Sequence, residues 1–224
     1  MRNAKYVKET TFLKKEKVVV ILSMEKKEFL PVKQLRGKQH FNVARIYESK
    51  KVLDGTVIME EYVEGKNLDD IIRKSGEEFS LEEIIEIGIQ LCDGLRFLHR
   101  QKYPILHGDI KPENIILVGR NPIHIKLIDL HDCLCKRDDV LLKSFRGTRG
   151  FCAPEQEEGR YVDFCSDIYG IGKTLEFLQY GVKEGKGKKR LLKIIKKATA
   201  INPKDRFVTV AELQNELSAI LYGY

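Results

Sequence analysis

The chain has 224 residues, 42% hydrophobic and 33% charged, a composition that excludes a chain disordered over most of its length. No apolar run approaches the roughly 20 residues needed to span a bilayer, and the basic N-terminus, MRNAKYVKETTFLKKEK, lacks the apolar core and cleavage site of a signal peptide. Five irregularly spaced cysteines exclude a disulfide framework, so a reducing cytoplasm is the expected location.

In chain order, the first sixty residues read as short strands. KVVVILS (17–23) and FLPVKQL (29–35) are aliphatic and β-branched, joined by the polar turn MEKKE. ARIYES (44–49) and TVIMEEYV (56–63) follow, separated by KKVLDG, where Asp54-Gly55 is a hairpin signal. SLEE (80–83) is then a capping box, with Ser80 as the cap and Glu83 reaching back. It opens a helix whose Ile84, Leu91, Leu95 and Leu98 fall at helical intervals. Two more strands, NIILV (114–118) and HIKLIDL (124–130), precede a polar loop and helices near 164–180, 188–200 and 208–221. The expected fold is α+β and bilobal: a reduced β-rich lobe over 1–62 and a mainly helical lobe over 63–224, with no internal repeat.

The net charge of +7 is of the kind that suits nucleic acid or an anionic membrane. Much of it sits in KEGKGKKRLLKIIKK (183–197), where Leu191, Ile195 and Ala198 recur at helical spacing. This segment reads as the solvated face of an amphipathic helix, with a docking patch for an acidic partner as the alternative, and no nucleic acid is expected. His131, Cys133 and Cys135 of HDCLC lack a fourth ligand for zinc and read as loop residues.

LHGDIKPENIIL (106–117) places Asp109, Lys111 and Asn114 between strand-like runs, and Asp129 ends the next strand. A hairpin of NIILV and HIKLID would bring Asp109, Asn114 and Asp129 to one mouth. Two carboxylates and an amide oxygen are hard ligands suited to Mg²⁺, which also recruits substrate phosphates, and Lys111 adds a cation. Turn preference explains any one of these residues, but poorly explains all four at these spacings.

On these residues the chain resembles the eukaryotic-like serine/threonine protein kinase family over about residues 17–221. HGDIKPEN is similar to its catalytic loop, which implies Asp109 as base for a substrate hydroxyl, Asn114 as metal ligand and Lys111 as the serine/threonine-type lysine. Asp129 of DLH would hold Mg²⁺ with ATP. GTRGFCAPEQ (147–156) resembles the end of an activation segment, implying that Thr148 contacts Asp109 and Lys111, and that Glu155 pairs with Arg206. SDIYGIG resembles the buried helix whose Asp167 anchors the catalytic loop. EEYVEG resembles the hinge, with Glu61 and Val63 offering backbone groups to adenine. FLPVK is similar to the strand with the phosphate lysine, implying Lys33 in that role.

The chain departs from the family in several places. KETTFLKKEK (8–17) has no glycine where the glycine-rich loop belongs, leaving Lys14, Lys15 or Lys17 as phosphate contacts. Six residues, QLRGKQ, follow Lys33 before HFNVARIYE, too few for a regulatory helix of several turns. That helix is missing or very short, and Glu60, at the gatekeeper position, is the expected partner of Lys33. Gly108 replaces the arginine that reads an activation-loop phosphate, Pro31 replaces an alanine, and His131 replaces a glycine. Ser144 and Thr148 are candidate modification sites, with Arg146 or Arg149 nearby. GVKEGKG is too short for the family's substrate-docking helix.

The resemblance implies a kinase transferring the γ-phosphoryl of Mg·ATP to a serine or threonine of a protein substrate. The alternatives are a pseudokinase scaffold and a small-molecule phosphotransferase, since HGD (107–109) also resembles the loop of antibiotic and choline phosphotransferases. A small first lobe buries little apolar surface, so it is expected to be mobile or completed by a partner or dimer.

Overall fold

The computed structural model describes residues 7–13, 16–23, 30–53, 55–135, 140–141 and 145–223. The first lobe is a four-stranded antiparallel sheet built from β1 (Val7–Leu13), β2 (Glu16–Ser23), β3 (Ile46–Val52) and β4 (Gly55–Glu61). Its order is β1-β2-β4-β3, so the last strand inserts between its hairpin partner and β2. Val52 pairs with Gly55, so Gly55 of the Asp54-Gly55 signal already belongs to β4; Asp54 itself is outside the described residues. The polar turn MEKKE, Lys14, Lys15 and Ser144 are outside them too.

One expected strand is a helix. Residues Leu30–Leu35 of FLPVKQL form α1, a six-residue helix carrying Lys33. Pro31 is compatible with the first helical turn, where its missing N–H costs no bond. A helix this short is unstable alone, and tertiary contacts hold it. Val32 and Leu35 are buried, and the Gln34 side chain donates to the Tyr103 carbonyl and accepts from the Tyr103 N–H, each at 2.9 Å. The expected shortness of the regulatory helix thus stands, but the helix occupies the segment read as the lysine strand.

The second lobe begins with β5 (Lys66–Asn67) and α2 (Leu68–Arg73), then α3 (Leu81–His99). Ser80 caps α3 as its sequence implies: its hydroxyl accepts from the Glu83 N–H at 3.2 Å and Glu83 Oε2 accepts from the Ser80 N–H at 2.7 Å. Ile84, Ile87, Leu91, Leu95 and Leu98 form the fully buried stripe, each contributing about 1.5–3 kcal/mol of gross burial free energy. β6 (Ile105–Leu106), β7 (Ile115–Arg120), β8 (Ile123–Leu127) and β9 (Leu134–Cys135) carry the loops of interest. After β10 (Val140–Leu141), α4 (Pro154–Glu157) and β11 (Tyr161–Val162) come α5 (Phe164–Leu178), α6 (Lys186–Ala198) and α7 (Val210–Tyr222). α3, α5 and α7 share one core with the β7–β8 hairpin and with Ile21, Ile46 and Ile58 of the first sheet.

The two lobes are joined by more than the segment after β4. Residues 42–44 lie along β8: the Ala44 N–H donates to the Leu127 carbonyl at 2.8 Å and the Leu127 N–H donates to the Asn42 carbonyl at 2.9 Å. That seam fixes the sheet over the β7–β8 loops.

Candidate active site

Residues 107–114 run between β6 and β7, and a single buried carboxylate suspends their start. Asp167, 1% exposed at the start of α5, accepts the main-chain N–H groups of His107 at 3.0 Å and Gly108 at 2.8 Å. His99 Nε2 lies 2.9 Å from Oδ2, the same oxygen that accepts the His107 N–H. Burial disfavours the Asp167 charge, but the hydrogen bond and charge of His99, with the Gly108 N–H, outweigh it and hold the carboxyl below its ordinary range. Gly108 sits at φ +77°, in the left-handed region where glycine is favoured. That bend turns the chain so that Asp109 follows directly after the two anchored amides.

Asp109, Lys111, Asn114 and Thr148 meet. Lys111 Nζ is 2.8 Å from Asp109 Oδ2 and donates to Thr148 Oγ1 at 2.7 Å. Asn114 Nδ2 donates to the Asp109 carbonyl at 2.9 Å and to Asp109 Oδ2 at 3.2 Å. The segment bearing Thr148 is pressed onto the 107–114 loop: Gln156 Nε2 donates to the Gly108 carbonyl at 2.7 Å. Gly147, at φ +98°, lies so close that an added Cβ would stand 3.0 Å from that same carbonyl oxygen and 2.9 Å from Cys152 Cβ.

Pairing of Ile115 with Leu127 places Asn114 and Asp129 at one end of the β7–β8 hairpin, and the Ile128 N–H donates to the Asn114 carbonyl at 3.0 Å. Asp129 adopts φ 71°, ψ 47°, a conformation uncommon outside glycine and tolerated by aspartate. Its backbone is held by Glu60, which is 3% exposed: Glu60 Oε1 accepts the Asp129 N–H at 2.9 Å, and Oε2 accepts the Leu130 N–H at 3.3 Å. His131 Nδ1 lies 2.5 Å from Asp129 Oδ1.

These donors fit a magnesium ion. Asp109 Oδ1 is buried and has no hydrogen-bond partner among the described residues, while the donor set offers a carboxylate and an amide oxygen, both hard ligands. No cluster of three or more His, Cys, Asp or Glu suited to a metal occurs among the described residues. Two protein ligands are in keeping with an ion that keeps waters and takes substrate phosphates.

Lys33 lies on a helix where a strand was expected. The strand preceding α1 and lying beside β4 is β2, and its register sets Val19 opposite Glu60 and Ile21 opposite Ile58. Val19 and Ile21 therefore share the Glu60 face of the sheet, and Ile21 is 1% exposed. Lys33 is on α1, at an exposed position, rather than in the sheet. Lys17 lies in β2. Glu61 ends β4, and Val63 lies two residues beyond it. The Glu61 carboxylate accepts from the Arg45 N–H at 3.0 Å and pairs with Lys126 at 2.5 Å.

Glu155 and Arg206 form a buried bidentate pair, at 2.7 and 2.8 Å. The guanidinium also donates to the carbonyls of Ala200, Cys165 and Ile201, and Ser166 Oγ donates to Glu155 at 2.8 Å. Burial pushes the Glu155 pKa up, but the Arg206 hydrogen bond and charge reverse this and leave it lowered. His99, Gln156, Ser166 and Ile21 have places in this arrangement that spacing does not reveal; each acts on a partner 11 or more positions away in the chain or through a strand register.

Residues 4–221 match the family model described as a protein kinase domain. The chain is 34% identical over 170 residues to human myosin light chain kinase family member 4, covering 74% of this chain and 43% of the relative. It is 29% identical over 154 residues to serine/threonine-protein kinase A of Synechocystis, covering 63% of this chain and 29% of the relative. Rat myosin light chain kinase 3 matches at 33% over 145 residues, 64% of this chain and 18% of the relative. The chain thus spans less than half the length of these curated relatives.

Proposed function

Because the chain belongs to the protein kinase domain family, we propose that it is a serine/threonine protein kinase transferring the γ-phosphoryl group of Mg·ATP to a protein hydroxyl. The observation that carries this reading is Lys111, whose ammonium bridges the Asp109 carboxylate and the Thr148 hydroxyl. It joins a base to the segment that would seat a peptide, an arrangement that a small-molecule phosphotransferase has no need of.

Asp109 orients the substrate hydroxyl and takes its proton as the hydroxyl oxygen bonds to phosphorus and the P–O bond to ADP breaks, its electron pair leaving with ADP. Lys111 offsets charge on the transferring group. Asn114 and Asp129 hold the metal, and Glu61 and Val63 present main-chain groups to adenine. Mg²⁺, when bound, neutralises phosphate charge. Thr148 keeps the peptide-seating segment in register with Asp109.

A second reading is a binding module with weak or no catalysis. It is favoured by Val19 and Ile21, rather than a lysine, standing opposite Glu60 and Ile58 in β2, and by Lys33 lying on α1 rather than in the sheet, where the family carries its phosphate lysine. Calorimetry with ATP, with and without Mg²⁺, on the wild type and Asp129→Asn, followed by phosphoryl transfer to a serine/threonine peptide library, separates the two. Mg²⁺-dependent binding lost in Asp129→Asn, with transfer abolished by Asp109→Asn, supports the kinase. Absence of nucleotide binding at millimolar ATP by a folded wild type leaves the binding module.

A further inference from the structure

The chain carries 40 basic and 33 acidic residues; residues 183–197 hold eight of the former and one of the latter. Elsewhere the count is 32 of each, so the whole net charge of +7 resides in this one segment. Its helix, α6, buries Leu191, Ile194, Ile195 and Ala198 against the core. At 100° per residue, Lys186, Lys189, Arg190, Lys193, Lys196 and Lys197 fall within about a third of the circumference, opposite that buried stripe.

Most of these cations are unspent. Lys188 pairs with Glu184, Arg190 donates to the Ala219 carbonyl, and Lys197 lies 4.2 Å above the Phe207 ring. Lys186, Lys189, Lys193 and Lys196 have no carboxylate partner among the described residues, and all are exposed. The loop packed on the C-terminal end of α6 adds aliphatic side chains: Ile201 is 81% and Val208 67% exposed. Both are tied there, Ile201 by its carbonyl to Arg206 and Val208 through its neighbour Phe207 under Lys197.

We propose that the outer face of α6, with Ile201 and Val208 at its end, docks on an anionic lipid surface. The helix turns this side outward, is about 20 Å long, and carries charge of one sign there. A flat anionic sheet meets such a face along its whole length, whereas an extended acidic peptide needs a groove to be held. Protruding aliphatics beside lysines supply the shallow insertion that, with a basic patch, makes peripheral binding stable. The proposal stands on surface chemistry and is independent of whether the chain transfers phosphate.

The test is co-sedimentation of the 224-residue chain with vesicles of phosphatidylcholine alone or with 30% phosphatidylserine. Binding is expected only with phosphatidylserine and should fall steeply as salt rises. The triple variant Lys189→Glu, Lys193→Glu, Lys196→Glu, all exposed changes, should reduce partitioning by at least about a hundredfold, at roughly fivefold per cation lost. Ile201→Asp should reduce it while leaving the lysines in place. Unchanged melting temperatures for both variants ensure that folded chains are compared. Equal binding to both vesicle types, binding unaffected by the triple reversal, or binding to duplex DNA or polyglutamate without binding to the anionic vesicles overturns the proposal.

Discussion

The carboxylate of Glu60 takes up the main-chain N–H groups of Asp129 and Leu130, linking the end of β4 to a turn 69 residues further on. An acid buried at this point pins the left-handed backbone from which the Asp129 side chain projects. Glu60→Leu leaves two N–H groups without their acceptor, so it should destabilise the chain by about 2–3 kcal/mol. Glu60→Gln retains one acceptor and should cost less. Amide exchange at Asp129 and Leu130 should accelerate in the leucine variant; unchanged protection there would show that other contacts hold the turn.

The Lys111–Thr148 contact predicts a split between binding and transfer. Thr148→Ala removes the hydroxyl that Lys111 grips and should lower peptide phosphorylation at least tenfold, a loss typical of displaced catalytic groups. ATP affinity measured by calorimetry should be unchanged, because in the proposed function Thr148 belongs to the segment that would seat the peptide rather than the nucleotide. Thr148→Ser keeps the hydroxyl and should recover most of the rate. An alanine variant with full activity would place the peptide elsewhere.

Arg206→Met exposes the worth of the buried pair. With both partners almost wholly shielded, removing the cation strands the Glu155 charge and should cost about 3–5 kcal/mol at neutral pH in urea denaturation. In the wild type, Glu155 and Asp167 have folded pKa values below their ordinary range. The stability they contribute is complete above the unfolded carboxylate pKa of about 4 and is lost as pH falls through the lowered folded values. In the methionine variant burial is opposed only by the Ser166 and backbone hydrogen bonds, so the Glu155 pKa rises from its wild-type position and protonation relieves the penalty. The gap between the two proteins should therefore narrow as pH drops below about 5, and a gap that widens on acidification would contradict the charge assignment.

Gln34 predicts how firmly α1 is seated. Its amide makes both a donor and an acceptor contact with the Tyr103 backbone, and Lys38 reaches Gln101 from the next turn. Gln34→Ala should cost about 1–2 kcal/mol for the two lost bonds and raise exchange of the α1 amides, with little effect on those of α3. Equal protection of α1 in both proteins would show that Val32 and Leu35 suffice to hold it.

Sequence alone determined much of the architecture where the signals are local. The Ser80–Glu83 box starts α3 because both groups lie within one turn, and the β3–β4 and β7–β8 hairpins follow from short polar connections between β-branched runs. HGDIKPEN and GTRGFCAPEQ were legible as chemistry, since residues so close in sequence keep their spacing in any fold that holds the loop. What tertiary structure decided is the state of FLPVKQL and the surroundings of Asp129. An aliphatic run of seven residues suits a strand or a short helix equally, and six helical residues have no stability of their own. Burial of Val32 and Leu35 and the bonds of Gln34 to Tyr103 settle it, and they move Lys33 out of the sheet. The Glu60 contact is likewise invisible in order and spacing: it exists because β4 inserts beside β2 and carries its last side chains over the end of β8.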